Sequence, residues 1–301
     1  MYLYNKEKTM EENVVYHAII IISVLLFGAS FYFKDIYRQM RGNSFKISIE
    51  FSFIGSIVGL IALLIINGIK FEYTLFSLIM ALISTINGFA FTYFSFKALG
   101  RINLSLYSIF SMLGGMMLPF LQGIIFFGES ITFAKIICVL LITLALLLTK
   151  EKGQNKKGSI YYTGVFVLNG MSGVLSKIFV SAPFEKVSSA GYSILTALCS
   201  LILSLIILLI ISRKKTDDEK PKPVSVIVGA MSGLVNRIGN FLLIIALNHV
   251  DSSVQYPMVT GGVMIVSTLA CFFGERKPSK KEVASVIISF IGLLILFLVR
   301  T

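Results

Sequence analysis

The side chain with the clearest capacity for chemistry is that of Arg237, which lies within the apolar stretch MSGLVNRIGNFLL. A cation at the centre of a membrane-spanning helix costs about 2.5–3.5 kcal/mol on insertion scales. Ser232, Asn236 and Asn240 recur at four-residue spacing beside it, so one flank of a helix is polar here. We predict that this flank lines a water-filled cavity in which the guanidinium binds a carboxylate or a phosphate. The structural alternatives are an ion pair with Glu50 and an arginine that snorkels to the membrane surface.

Polar residues in two other apolar stretches are candidates for the same cavity. Asn169 and Ser172 share a helical face, and Lys177 lies beside that face. Asn87, with Tyr93 beyond it, gives another stretch a matching polar patch. We predict that these five residues contact a substrate. The structural alternative is more common for lysine and asparagine, since lysines near helix ends snorkel and asparagines join helices.

Two further stretches carry aromatic and amide side chains that suit a cavity wall. Tyr107 lies in the fourth apolar stretch, whereas Gln255, Tyr256 and Thr260 lie in the ninth. Such a wall holds amphiphilic molecules with few directional contacts, so we predict that all four line the cavity. Lys34 closes a polar stripe in the first stretch, where its position near a helix end favours snorkelling.

Sequence motifs of enzymes are absent from the chain. There is no GxxxxGK[ST] loop, no HExxH, no GxSxG and no pair of catalytic carboxylates. Cys138, Cys199 and Cys271 each lie alone in an apolar stretch, and His17 and His249 are isolated. We therefore predict no catalytic residue, no metal site, no cofactor and no enzymatic activity.

The composition indicates that these residues lie in a membrane. The 301 residues are 56% hydrophobic and only 14% charged, and the mean hydropathy is +0.87. Soluble domains are roughly 25% charged, so the partner that covers this chain is a lipid bilayer. The net charge of +12 comes from short basic clusters between apolar stretches. Such clusters are typical of membrane topology signals, so no nucleic-acid partner is predicted.

Ten apolar stretches are long enough to span a bilayer as helices, since about 20 residues cross the hydrocarbon core. The sequence therefore predicts an all-α integral membrane protein. A retained N-terminal tail covers residues 1–13, and a polar loop at 151–158 divides the chain. The predicted helices are 14–33, 46–67, 73–96, 103–127, 131–149, 159–180, 188–212, 223–247, 252–274 and 279–299.

Lysine and arginine placement predicts the orientation of the chain. Most of the 27 basic residues lie in or beside the odd-numbered connections. Because basic loops remain in the cytoplasm, we predict that the odd-numbered connections are cytoplasmic and that both termini lie outside.

The two halves of the chain resemble each other. FFGE occurs at 126–129 and again at 272–275, in each case between two apolar stretches. Upstream, KALGRINLS at 97–105 resembles IALNHVDSS at 245–253. Each half, 14–150 and 159–301, holds five predicted helices, and an odd number reverses the second copy across the membrane. We therefore predict two inverted five-helix repeats, the architecture that many secondary transporters use for alternating access.

On these motifs the chain resembles the drug/metabolite transporter superfamily, specifically its ten-helix EamA-type branch. The residues that carry the resemblance are Phe27-Gly28 followed by Lys34, Ala98-Leu99, Pro119, Gly128-Glu129, Ala246-Leu247 and Gly274-Glu275. The chain has no tryptophan, whereas family members usually carry one before the helix-one glycine. The proline of the ninth helix is displaced to Pro257.

The resemblance implies movement of small metabolites, amino acids or amphiphilic drugs, driven by an ion gradient or by exchange. Arg237 favours an amino acid or another organic anion or zwitterion as the substrate, carried across the plasma (inner) membrane. The expected partners are this small molecule and a coupling ion or counter-substrate. Efflux of amphiphilic drugs is the second hypothesis, a non-transporting membrane scaffold is the third, and a lipid-modifying membrane enzyme is the fourth.

Overall fold

The structure of the chain is a computed structural model that describes residues 2–128, 132–149, 156–212, 221–250, 252–273 and 277–298. Within these ranges the chain forms ten α-helices and no strand, which confirms the predicted all-α architecture. The helices are α1 (Tyr2–Arg41), α2 (Phe45–Ile66), α3 (Leu75–Leu99), α4 (Leu104–Phe127), α5 (Phe133–Thr149), α6 (Lys156–Ser181), α7 (Ser189–Ser212), α8 (Pro223–Leu247), α9 (Ser252–Cys271) and α10 (Lys280–Leu298).

The first helix differs most from its predicted range of 14–33. It begins at Tyr2 and ends at Arg41, and its apolar span covers Val15–Arg41. An apolar run identifies only the part of a helix that contacts lipid, and a helix continues through polar residues wherever its backbone bonds are kept. The ends of the other helices lie within a few residues of the predicted ones.

Within the described ranges, seven helices, α1 to α4 and α6 to α8, are long and apolar enough to cross a membrane. Shorter apolar stretches occur at 136–145 in α5 and at Met258–Cys271 in α9. Large apolar side chains are exposed along these helices, including Ile65 at 70% and Ile227 at 62%. A hydrocarbon solvent accounts for such exposure, since soluble proteins rarely expose large contiguous apolar surfaces.

Side-chain caps fix where several helices begin. Ser44 accepts a hydrogen bond from the Ile47 amide, and Asn103 accepts one from the Leu106 amide at 2.8 Å. These caps satisfy amides that have no partner within the helix. At the other end of α4, Gly128 adopts a left-handed conformation with φ 62°, which favours glycine and stops the helix. Glu129 and Gly274-Glu275 of the FFGE repeats lie outside the described residues.

The contacts between helices fall into matched pairs when α1–α5 are aligned in order with α6–α10. The contact of α1 with α8 matches that of α6 with α3, and the contact of α4 with α6 matches that of α9 with α1. Three contacts are their own counterparts, namely α2 with α7, α4 with α9 and α5 with α10. A repeated half packed against its copy produces this pattern.

Individual atoms repeat the same symmetry. Ser56 Oγ of α2 donates to Ser200 Oγ of α7 at 2.7 Å, and these two serines are 144 residues apart. Helices α2 and α7 begin at matching positions, so the two serines are equivalent residues. Thr260 of α9 similarly donates to the Met112 carbonyl of α4 at 3.2 Å, 148 residues away. Equivalent residues that meet mark a pseudo-two-fold axis, which supports the predicted repeat.

Candidate functional site

A polar cavity of about 220 Å³ lies between α1, α2, α3, α6, α7 and α8. Most of the residues in its wall carry hydroxyl, amide or aromatic groups. Its charged residues are Lys34 of α1 and Arg237 of α8, and no aspartate or glutamate of the described chain lines it. Three of its helices come from each half of the chain. We refer to this space as the central cavity.

Arg237 enters the central cavity because α2 leaves room for its side chain. A Cβ atom at Gly59 would lie 2.5 Å from Arg237 Cγ, so the arginine occupies the space above that glycine. Its Nη2 donates to Ser56 Oγ at 3.3 Å. Glu50, the predicted alternative partner, instead forms an ion pair with Arg41 at 2.9 Å. Among the described residues, Arg237 therefore forms no ion pair.

The close approach of α2 and α8 brings the arginine to that position. A Cβ atom at Gly233 would lie 2.1 Å from Gly55 Cα, so only glycines allow these helices to pack so closely. Contacts between small residues are the usual means of close helix packing in membranes. The crossing places Arg237, one turn further along α8, directly against α2.

Lys34 is buried rather than snorkelling, with only 4% of its surface exposed. Its Nζ lies 4.7 Å from the centre of the Phe91 ring and 5.3 Å from that of Phe31. Such cation–π contacts stabilise an ammonium group more strongly when water is excluded. The helix continues to Arg41, so Lys34 lies two turns before the helix end and its side chain lines the central cavity.

The predicted polar flank of α8 lies in the wall of the central cavity. Asn236 and Asn240 both line it, and Asn240 Nδ2 donates to the Asn236 carbonyl at 2.9 Å and to Asn236 Oδ1 at 3.2 Å. Ser232 also lines it and donates to the Ser30 carbonyl of α1 at 3.0 Å. Periodicity within α8 therefore predicted which of its residues share this cavity.

Ser172 connects the central cavity to a second, smaller one of about 90 Å³. This second cavity is lined by Asn169, Gln255, Tyr256 and Thr260 and by apolar residues of α1, α4, α8 and α9. Asn240 also lines both cavities.

Hydrogen bonds to backbone carbonyls occupy most polar groups of the second cavity. Tyr256 OH donates to Gly173 at 2.9 Å, Gln255 Nε2 to Leu243 at 2.8 Å, and Asn169 Nδ2 to Ser111 at 2.7 Å. The Gln255 Oε1 atom is buried and has no hydrogen-bond partner among the residues that the structure describes.

The remaining predicted residues line neither cavity. Asn87 joins α3 to α6, with Nδ2 donating to the Leu168 carbonyl at 2.9 Å and to Ser172 Oγ at 2.8 Å. Tyr107 is fully buried, and its hydroxyl is 2.8 Å from Ser95 Oγ. Tyr93 packs edge-on against Phe45 and Phe94. Lys177 is 6% exposed near the end of α6.

Sequence reasoning missed the hydroxyl groups of α2 and α7. Ser52 and Ser56 of α2 line the central cavity, as do Thr196 and Ser200 of α7. Their four-residue spacing is a usable signal, because each pair lies on one helical face. Isolated serines are common in membrane helices, so the signal becomes clear only when both helices are compared.

Comparison with known proteins shows which family the second half of the chain matches. Residues 156–298, from the start of α6 to the end of α10, match the EamA-like transporter family. A solved crystal structure aligns with a TM-score of 0.66 over 92% of this chain and 95% of its own, at 14% sequence identity. It is one of 28 matching solved chains, and at this identity the likeness concerns the fold alone. No curated protein matches the sequence.

Proposed function

We propose that this chain, whose residues 156–298 belong to the EamA-like transporter family, moves a small organic anion or zwitterion across the plasma membrane. The family and the apolar helices make it a membrane transporter of the drug/metabolite superfamily. An amino acid and an organic acid are the favoured substrates. The observation that carries the proposal is the arginine in the central cavity, which faces polar space and has no acidic partner within the described part of the chain.

The position of the central cavity suits alternating access. Ser56 and Ser200, the equivalent residues that meet between α2 and α7, both line it. The pseudo-two-fold axis therefore passes beside the bound substrate. If five helices of each half cross the membrane, this axis lies in the membrane plane, and rocking of one half on the other exposes the cavity to each side in turn.

The orientation and the driving force are part of this proposal. The basic residues of the odd-numbered connections predict that those connections are cytoplasmic. The family resemblance implies that an ion gradient or exchange with a counter-substrate drives the movement.

Drug efflux is the second candidate function, and the smaller cavity favours it. Phe27, Leu243, Leu247 and Val259 give that cavity a largely apolar wall next to Tyr256. Apolar walls of this kind hold amphiphilic molecules with little directional bonding. An amphiphile with an anionic group would place that group in the central cavity and its apolar part here.

Flux through liposomes tests the proposal. The purified chain is reconstituted, and amino acids, organic acids and amphiphilic cations are screened for saturable exchange. Arg237→Gln is compared with Arg101→Gln, whose guanidinium is exposed and stacks 4.4 Å from the Tyr161 ring. We expect loss of acid or amino-acid exchange in the first variant alone. Saturable exchange of amphiphilic cations only would support drug efflux, and a folded chain that moves no solute would support a scaffold.

A further inference from the structure

The two charged groups of the central cavity lie at similar levels along the neighbouring helices α1 and α8. Helices α1 and α8 run antiparallel, since Gly229 packs near Tyr37 whereas Gly239 packs near Phe27. Ser30 and Ser232 meet between these points, with their hydroxyls 3.4 Å apart. This serine contact defines a reference layer across the cavity.

Both cationic side chains lean toward that layer. Side chains on a helix point toward its N-terminus, and this direction is opposite in two antiparallel helices. Lys34 accordingly reaches back over Phe31, next to Ser30. Arg237 reaches Ser56, beside the residue that packs on Gly233. Each charged group therefore lies within about one helical turn, ~5 Å, of the serine layer.

Three acidic residues in or next to α1 and α2 are engaged elsewhere. Asp35 of α1 forms an ion pair with Arg38 at 2.8 Å, and Glu50 of α2 pairs with Arg41. Glu72, between α2 and α3, accepts hydrogen bonds from the Ser188 amide and hydroxyl. Hydroxyls, amides and aromatic rings are thus the polar groups that accompany the two cations in the described wall.

We propose that the substrate of this transporter carries two negative charges, one recognised by Lys34 and one by Arg237. This inference rests on the proposed transport function and narrows its substrate class to dicarboxylates and organic phosphates. Two cations that share a cavity and have no acidic partner among the described residues repel each other, and a dianion compensates both at once. The ammonium group of an amino acid would find no carboxylate in the described wall and would lie beside two like charges, so the site selects against zwitterions.

Hydroxyls of the same layer suit the oxygens of such a substrate. Ser56 and Ser200 lie at the pseudo-two-fold axis, and Ser30 and Ser232 lie at the layer between the cations. A carboxylate or phosphate oxygen accepts hydrogen bonds from hydroxyl groups as well as from charged groups. Ser56 donates its proton to Ser200 and Ser232 donates its proton to the Ser30 carbonyl, so Ser200 and Ser30 are the hydroxyls of this layer that would donate to the anion, without adding a charge of their own.

Four probes of similar length separate the candidate substrates. Two probes are dianions: succinate has two carboxylates, and propyl phosphate carries both negative charges on one phosphate. Butyrate has one carboxylate, and γ-aminobutyrate has one carboxylate and one ammonium group. Binding is measured by calorimetry on protein in lipid nanodiscs, and exchange is measured in liposomes. We expect at least one dianion to bind about 10- to 100-fold more tightly than butyrate, since a charged hydrogen bond is worth that factor.

Substitutions of Lys34 test whether this residue binds the second negative charge of the substrate. Lys34→Gln should reduce binding of the dianion to the level of butyrate and leave butyrate nearly unchanged. The control is Lys97→Gln, because the Lys97 ammonium also lies over an aromatic ring, that of Tyr93, but does not line the cavity. Lys34→Glu should reverse the preference toward γ-aminobutyrate, which a loss of folding cannot produce.

The possible results distinguish a failure of the two-charge inference from a failure of the proposed transport function. Exchange of γ-aminobutyrate or butyrate at least as fast as that of both dianions overturns the two-charge substrate but leaves the transporter intact. If Lys34→Gln weakens the binding of the dianion and of butyrate equally, the two-charge inference is also wrong. If neither dianion binds while other solutes are exchanged, the inference is wrong, and if no solute is exchanged, the proposed function fails as well.

Discussion

Two partly buried arginines beside α2 differ in their partners, and the difference suggests different roles for them. The Arg41 guanidinium bonds Glu50 at 2.9 Å, with 8% and 16% of the two side chains exposed. Among the described residues, the Arg237 guanidinium bonds the hydroxyl of Ser56, at 3.3 Å, and forms no ion pair. A charge that is removed from water without an acidic partner is costly to the fold. An internal ion pair therefore neutralises Arg41, and we propose that a ligand compensates Arg237.

The largest effect is expected from Arg237→Gln. Removing a charge that contacts the transported anion should lower the apparent affinity for that acid about 100-fold or more. The free energy of unfolding should stay the same or rise, because the variant removes an uncompensated charge. Flux and thermal unfolding are measured on the same preparation. A variant that unfolds at a much lower temperature would show that Arg237 stabilises the fold.

The opposite result is expected at the other arginine. Arg41→Gln leaves Glu50 partly buried without its counter-charge, so the free energy of unfolding should fall by about 2 kcal/mol. Replacing both residues by glutamine should recover most of that loss. Thermal unfolding of the single and double variants measures the coupling between them. If the double variant is no more stable than Arg41→Gln, the pair is not the stabilising contact.

Displacing the Arg237 side chain without removing its charge tests whether the position of the guanidinium affects substrate binding. At Gly59 a Cβ atom would lie 2.5 Å from Arg237 Cγ, so Gly59→Ala displaces the arginine stem from α2. We expect about tenfold weaker substrate binding, since displacement weakens a charged contact without abolishing it. Gly88→Ala is the control, because Gly88 lines the cavity and a Cβ atom there meets nothing within 4 Å. Equal effects of the two alanines would contradict this account of Arg237.

The smallest effect is expected from the hydroxyl that Arg237 contacts. Ser56→Ala removes the acceptor of its Nη2 and the donor to Ser200. A neutral hydrogen bond contributes about 1 kcal/mol, so a few-fold change in affinity should follow. Concentration dependence of exchange measures it. Complete loss of flux would mean that Ser56 contacts the substrate directly rather than orienting the arginine.

The comparison of the two arginines also shows what the sequence could predict. Apolar length predicted ten helices and nearly all of their ends, because a bilayer requires about 20 apolar residues in each crossing. Periodicity within α8 predicted that Asn236, Arg237 and Asn240 share a wall. Both inferences use the geometry of a single helix, which the sequence contains.

The structure shows how the helices are rotated and packed against one another, which the sequence did not predict. Tyr107 was predicted to line the cavity but turns toward Ser95, since an apolar helix carries little signal of how it is rotated in the bundle. Lys34 was expected to snorkel because the end of α1 was placed too early. The meeting of Ser56 with Ser200 depends on packing between the halves. Roles of the predicted site residues in binding remain predictions.

Access to the central cavity from both sides of the membrane is the most direct test of the account. Asn240 is exposed and lines both cavities, so Asn240→Cys is introduced after Cys138, Cys199 and Cys271 are replaced by alanine. A charged, membrane-impermeant thiol reagent is then added to one side of oriented vesicles at a time. The account predicts labelling from each side, slowed by the transported acid. Labelling from one side only, whatever the conditions, would contradict alternating access.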